Sequence, residues 1–156
     1  MFIADVMGQG TRSSLITAIL RTLIDDLKKT GRNPRHFLTE INKQVCGLLR
    51  NVPNPLFTSA FYFVADTTAR VATFSSAGHP APFAIHRETG RITRLEVASP
   101  RGAALGVIPN ESYSGGQCRL SDGDLFIFFT DGVYEAHNVK GDEYGIERME
   151  ASLKEN

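Results

Sequence analysis

An α+β fold is predicted, on three observations. Two stretches with helical spacing of apolar residues lie together ahead of Pro53. Beyond Pro53 and Pro55 the spacing changes to the two-residue alternation of strands. Those strands gather phenylalanines on one face, which suggests sheet packed on sheet with helices outside. Helices grouped before a run of antiparallel strands, not alternating with them, argue for α+β over α/β.

The chain opens on Phe2-Ile3-Ala4-Asp5-Val6-Met7-Gly8-Gln9-Gly10, a short apolar run with one carboxylate at its end and two glycines after it. That reads as a strand, a tight turn and a helix start. Thr11, Ser13 and Ser14 offer N-caps. Leu15, Ile16, Ile19, Leu20, Leu23, Ile24 and Leu27 then form one apolar face, leaving Arg12, Arg21, Asp25, Lys28 and Lys29 to solvent. The two lysines suit the negative end of the helix dipole, and Gly31 suits its stop. Asn33-Pro34 is a second cap with a first-turn proline. Phe37, Leu38, Ile41, Val45, Leu48 and Leu49 make the second apolar face.

Strands are predicted over 56–65, with Phe57, Phe61 and Phe63 on one face, and over 70–76, with a turn at Asp66-Thr67-Thr68 between them. Stretches 83–87 and 91–96 flank Glu88-Thr89-Gly90 as a hairpin. Residues 98–109 read as irregular, 113–120 as a strand, and Ser121-Asp122-Gly123-Asp124 as a tight turn. Residues 125–130 are apolar on both faces, which predicts a central strand. A loop then runs to Gly141, and 145–154 reads as a helix.

With 156 residues, a single domain over 1–156 is expected. Lys plus Arg number 17 and Asp plus Glu number 17, so neither a nucleic-acid footprint nor a membrane-binding face is indicated. The apolar runs are too short to span a bilayer, and no signal peptide opens the chain. Cys46 and Cys118 are far apart and outside any C-x-x-C spacing. They read as reduced, structural thiols, and a cytoplasmic location is expected.

The stretch Asp124-Leu125-Phe126-Ile127-Phe128-Phe129-Thr130-Asp131-Gly132 repeats the opening theme of a buried strand delivering an Asp and then a Gly. Asp5 and Asp131 are read as side by side and sharing a metal centre. Carboxylates without His or Cys suit a hard ion, Mg²⁺ or Mn²⁺, and two metals could polarise a phosphoryl oxygen and activate a water. Taken singly, a strand-end Asp is more often a turn former or helix cap. His79 is read as a turn histidine capping backbone, with a ligand or acid role as the other choice. Gly8-Gln9-Gly10-Thr11-Arg12-Ser13 lacks the last glycine and the partner acid of a dinucleotide fingerprint.

Five motifs in order resemble the SpoIIE/RsbU-type bacterial phosphatases of the metal-dependent (type 2C, PPM) protein phosphatase family. Asp5-Val6-Met7-Gly8-Gln9-Gly10 resembles its D-V-x-G-H-G signature, and Thr58-Ser59-Ala60-Phe61-Tyr62 its central strand. Ser76-Ala77-Gly78-His79-Pro80-Ala81-Pro82 is similar to its A-G-H-x-x-P turn, and Leu105-Gly106-Val107 to its L-G segment. Asp122-Gly123-Asp124 through Thr130-Asp131-Gly132-Val133-Tyr134-Glu135-Ala136 is similar to its D-G-D…T-D-G-x-x-E-A block. The resemblance implies a four-layer α/β/β/α sandwich with antiparallel sheets and a two-metal Mn²⁺ or Mg²⁺ site between them. It implies hydrolysis of phosphoserine or phosphothreonine by a metal-activated water. Asp5 would bridge the metals, the Val6 backbone carbonyl would bind one, and Asp131 would bind the other. It implies as substrate a phosphorylated anti-sigma-factor antagonist, with an N-terminal sensor or receiver domain in the full-length protein.

Three departures shape what is expected of this chain. The family's opening hairpin with its G-D acid does not precede Asp5, its closing Asp-Asp strand does not follow, and Gln9 stands where the family has His. The domain is therefore expected to be incomplete at both ends, with weak or no turnover by itself. Self-association through sheet edges, as a homodimer, is expected. The second function carried forward is a non-catalytic module that binds a phosphoprotein or regulatory partner.

Overall fold

A computed structural model describes residues 1–28, 31–53, 56–98 and 102–155. Its elements are β1 (Phe2–Val6), α1 (Thr11–Leu27), α2 (Pro34–Leu49), β2 (Thr58–Asp66), β3 (Val71–Ala77), β4 (Phe83–Ile85), β5 (Ile92–Arg94), β6 (Gly115–Arg119), β7 (Leu125–Ile127) and α3 (Ile146–Glu155). They fall into two compact units, Met1–His79 with Glu96–Leu120, and Pro80–Leu95 with Ser121–Asn156.

The first unit is an antiparallel sheet of order β1-β2-β3-β6 with α1 and α2 packed on it. Ile16, Leu20 and Leu23 of α1 and Phe37, Leu38, Ile41, Val45 and Leu49 of α2 are buried against Phe2, Ala4 and Val6 of β1 and Ala60 and Tyr62 of β2. Alternation along each strand leaves Ile3, Asp5, Ser59 and Phe61 on the opposite face. Leu15 (61% exposed) and Leu48 (56%) were expected on the apolar faces but stand at their margins, in solvent.

The predicted hydroxyl caps of α1 do not form. Gly10 is its N-cap at φ +89° with no side-chain cap bond. The hydroxyls of Ser13 and Ser14 instead donate back to the carbonyls of Met7 (3.3 Å) and Gly10 (3.2 Å), and Thr11 opens the helix. The helix ends before Lys28, and Lys29 lies outside the described residues. Gly31 is required by closeness, since a Cβ there would meet the Tyr62 hydroxyl at 2.7 Å. That tyrosine stacks on Phe37 with centroids 4.3 Å apart. The Asn33 side chain caps α2 as expected, accepting from the N–H of Arg35 and His36.

Asn42, fully buried on α2, was not anticipated. Its amide donates to the Ile108 carbonyl at 2.9 Å, and its Oδ1 accepts from the Gly106 N–H at 2.9 Å. The same loop pairs with β2, Leu105 and Thr58 exchanging both backbone bonds (2.8 and 3.1 Å). β2 starts at Thr58 and not at residue 56. Phe57, 39% exposed, precedes it, its carbonyl still accepting from the Met7 N–H at 3.0 Å, whereas Phe61 and Phe63 are buried. Phe61 stacks on Phe74 of β3. The hydroxyls of Thr58 and Tyr113 are buried with no hydrogen-bond partner among the described residues.

The second unit is an antiparallel sheet of order β5-β4-β7. The β4–β5 hairpin forms as predicted. The stretch 125–130 does not make a central strand: β7 keeps only Leu125–Ile127, and β4 holds the centre. The chain leaves the ladder because Phe129 is claimed by a core of its own, stacked on Phe83 (5.5 Å) and edge-on to Tyr134 (6.2 Å). Met149, Ile146 and Leu153 of α3 complete that core. Glu150 of α3 accepts from Nε and Nη2 of Arg94 (3.1 and 2.6 Å), whose guanidinium lies over the Phe83 ring. Neither Cys46 nor Cys118 is in a disulfide. Among the described residues no helix is long and apolar enough to cross a membrane.

Candidate metal centre

Asp5 is the next-to-last residue of β1 and is half-buried. In the β1–β2 register it faces Ser59, and Val6 faces Thr58. The strand then breaks. Gly8 (φ +85°) and Gly10 (φ +89°) turn the backbone through the left-handed region, which only glycine enters at little cost, and deliver it into α1. Gln9 between them is exposed. A carboxylate on a strand, ahead of a glycine turn with open surroundings, is held stiffly yet can be approached.

Asp131 belongs to the second unit, and Asp5 to the first. Asp131 is not a strand end: Phe128, Phe129 and Thr130 separate it from β7, and it opens a one-turn 3-10 helix, Asp131–Val133. Its carbonyl accepts from the N–H of Tyr134 (3.0 Å) and Glu135 (2.9 Å), so its backbone is fixed, and the residue is half-buried. Burial, aided by the negative charges of Asp131, Glu135 and Glu143, pushes the Tyr134 hydroxyl up. In the turn before β7, Asp124 is nearly enclosed. Burial opposes its ionisation, but the N–H groups of Ser121 and Arg87, with His86 at 3.5 Å, outweigh it and hold the carboxyl below the usual range.

His79 was expected to cap backbone. The cap runs the other way. Its N–H donates to the Ser76 hydroxyl, which donates in turn to the His79 carbonyl, each at 3.2 Å. The buried imidazole places Nδ1 2.8 Å from the Ser59 hydroxyl. Reading the sequence singled out neither Ser59 as a site residue nor its link to Asp5. Only the strand register reveals that, and the register is set by pairing partners far away in the chain.

Asp5 and Asp131 offer carboxylate oxygen and Val6 offers a carbonyl, all donors of the kind that Mg²⁺ and Mn²⁺ prefer. Each of these donors, taken within its own unit, fits a hard cation in kind. Among the described residues no group of three or more His, Cys, Asp or Glu is spaced to hold a metal.

The family model for Stage II sporulation protein E (SpoIIE) matches residues 1–156. The chain is 30% identical over 139 residues to the phosphoserine phosphatase RsbU of Bacillus subtilis, covering 89% of this chain and 40% of that protein. It superposes on the SiaA-PP2C domain of Pseudomonas aeruginosa with a TM-score of 0.80 at 22% identity, covering 98% of this chain and 59% of that one. It superposes on the catalytic domain of the serine/threonine phosphatase PstP, in complex with two manganese ions, with a TM-score of 0.64 at 13% identity, covering 98% and 79%. The two superpositions give the fold, the α+β type 2C phosphatase fold. The chain thus spans well under half the length of RsbU. Matched along its entire length by the model, this chain belongs to the SpoIIE family.

Proposed function

We propose that this chain is part of a metal-dependent protein serine/threonine phosphatase that removes phosphate from phosphoserine or phosphothreonine on a bacterial signalling protein. The observation that carries this is the match of all 156 residues to the SpoIIE family, together with the likeness to the phosphoserine phosphatase RsbU. Both units would belong to one phosphatase domain, working in the cytoplasm. The finer reading of the substrate, a phosphorylated anti-sigma-factor antagonist, and of an N-terminal sensor or receiver domain rests on that likeness. A homodimer is proposed from β1 and β6, which lie at the two edges of the first sheet. Sedimentation of a monomer at high concentration would refute it.

Asp5 and Asp131 are the proposed carboxylate ligands, and Val6 adds its backbone carbonyl. When bound, Mn²⁺ or Mg²⁺ supplies Lewis-acid polarisation of a phosphoryl oxygen and acidifies water. β1 keeps the Asp5 carboxylate in place through its ladder to β2. Gly8 and Gly10 keep bulk away from the approach, and nothing would meet a Cβ at Gly10 within 4 Å. The short helix at Asp131 holds that residue's backbone.

The test is phosphate release from a phosphoserine peptide with Mn²⁺ by a longer polypeptide and by this chain, each against Asp5→Asn and Asp131→Asn. Release by the longer polypeptide that both changes abolish supports the proposal; release that neither affects refutes the ligand assignment. A non-catalytic phosphoprotein-binding module is the second reading. It is favoured by Gln9, whose amide does not titrate near neutral pH and so cannot serve as a general acid. Phosphopeptide binding without turnover, with or without the longer polypeptide, would establish it.

A further inference from the structure

The imidazole of His79 presents a ring nitrogen to a neighbouring strand. It is 4% exposed and comes off a turn built to place it. Gly78, at φ +70°, bridges to Ala60 of β2, and a Cβ there would meet the Ala104 nitrogen at 3.2 Å, so the turn takes only glycine. Ser76, itself buried, locks the His79 backbone from both sides. The ring meets Ser59 of β2, with Nδ1 and Oγ 2.8 Å apart.

Ser59 is the residue directly opposite Asp5. Directly opposed residues on antiparallel strands point to the same face, with Cβ atoms about 4.5–5.5 Å apart. This is the face away from the helices, since Ala4, Val6, Ala60 and Tyr62 take the helix side. The serine that meets the imidazole therefore shares its face of the sheet with the Asp5 side chain.

Two proton arrangements satisfy the 2.8 Å contact. If Nδ1 is bare, Ser59 spends its only proton on the ring and can merely accept elsewhere. If Nδ1 carries the proton, the ring donates to Ser59 Oγ, and the serine proton is left to donate across the strands. We infer that His79 is a positioning residue for Asp5: its Nδ1–H holds the Ser59 hydroxyl so that the serine O–H donates to the Asp5 carboxylate. A donor fixed on one carboxylate oxygen sets which lone pairs remain for a cation. Such outer partners of metal ligands change metal affinity by about 10–100-fold when removed. The inference rests on the reading of Asp5 as a metal ligand.

The experiment uses the full chain. Mn²⁺ affinity is measured by calorimetry, or by water-proton relaxation where binding is weak, for wild type, Ser59→Ala, Ser59→Thr, His79→Leu, His79→Asn and the Ser59→Ala/His79→Leu pair. Thermal unfolding is followed in parallel, and nitrogen NMR reads which ring nitrogen of His79 carries the proton. Ser59→Ala and His79→Leu are each expected to weaken Mn²⁺ binding by about 10-fold or more, and the pair no further than either alone. Ser59→Thr, which keeps a hydroxyl, and His79→Asn, whose amide offers a donor near the Nδ1 position, stay within a few-fold of wild type. The ring of the wild-type protein carries its proton on Nδ1. Loss of thermal stability with unchanged Mn²⁺ affinity of the folded variants overturns the inference and leaves a structural pair. A ring protonated on Nε2 alone overturns it whatever the metal does. Asp5→Asn separates the two levels: if Mn²⁺ affinity survives that change, or wild type binds no Mn²⁺, the metal reading of Asp5 fails as well.

Discussion

Replacing Asn42 with alanine tests how the loop at 105–108 is held. The side chain is fully buried and supplies two bonds of 2.9 Å, one to the Ile108 carbonyl and one from the Gly106 N–H. Each bond is worth about 0.5–1.5 kcal/mol net. Gly106 is half-buried, so its abandoned N–H costs about 1–3 kcal/mol, at the low end if water reaches it. Ile108 is 47% exposed, so its carbonyl can turn to water. The sum is about 2–4 kcal/mol, equivalent to a fall in Tm of about 5–15 °C for a chain of this size. Denaturant unfolding measures the total. Amide exchange locates it, and Gly106, Leu105 and Thr58 should lose protection before the rest of β2. Asn42→Asp sharpens the case. Its carboxylate keeps the acceptor for Gly106 but faces the Ile108 carbonyl while buried, so its folded pKa must lie above the unfolded value near 3.9. Its deficit is therefore smallest below about pH 4, where a neutral acid can donate to Ile108, and grows as pH rises through the raised folded pKa. An Asn42→Ala cost below about 1 kcal/mol with unchanged exchange at Gly106 would refute the clamp.

Gln9→His, made in a polypeptide with measurable turnover, is expected to raise kcat if this position protonates the leaving oxygen; equal kcat at saturating Mn²⁺ would make the position structural. Asp124→Asn should cost about 1–3 kcal/mol at pH 7, from lost charge-assisted bonds. Because the carboxyl of Asp124 titrates below its usual range in the folded protein, that stability is present above about pH 4 and disappears as pH falls through the folded value, so the two proteins should converge in acid unfolding. A gap that persists undiminished at low pH would contradict this. Gly116→Ala would drive a Cβ into the Phe74 ring and the Glu96 carbonyl, and should destabilise by about 1–3 kcal/mol in denaturant unfolding.

The helices were legible because their signals are local. Asn33 and Pro34 announce α2 whatever lies around them, and the three-to-four spacing of Phe37, Leu38, Ile41 and Val45 already marks the buried side. Leu15 and Leu48 misled because spacing alone does not tell how wide a face the sheet will cover. The limits of β2 and β7 were not legible. Both lie beside partners distant in the chain, Leu105 paired with Thr58 and Phe83 stacked on Phe129, and such partners leave no local signal. Asp5 was legible as a candidate because it opens the first of five motifs that resemble one family in order; taken singly it reads as a turn former or helix cap. Ser59 and Asn42 were not, because a polar residue in a strand or helix looks the same in sequence whether it faces water or a buried partner. Their roles are set by contacts from His79 and from the 105–108 loop.

The two orphan hydroxyls of the first unit bear on how readily this protein can change. Burial, with Glu111 and Cys46 nearby, pushes the Tyr113 hydroxyl well up, so it stays a neutral group with nothing to bond, and Thr58 is in the same position. Removing such a group while keeping its shape is close to neutral or stabilising. Tyr113→Phe and Thr58→Val should therefore hold or raise the unfolding midpoint. A chain carrying both has more mutational tolerance, and substitutions around Gln9 and Asp5 that alone would drop the folded population become accessible to selection.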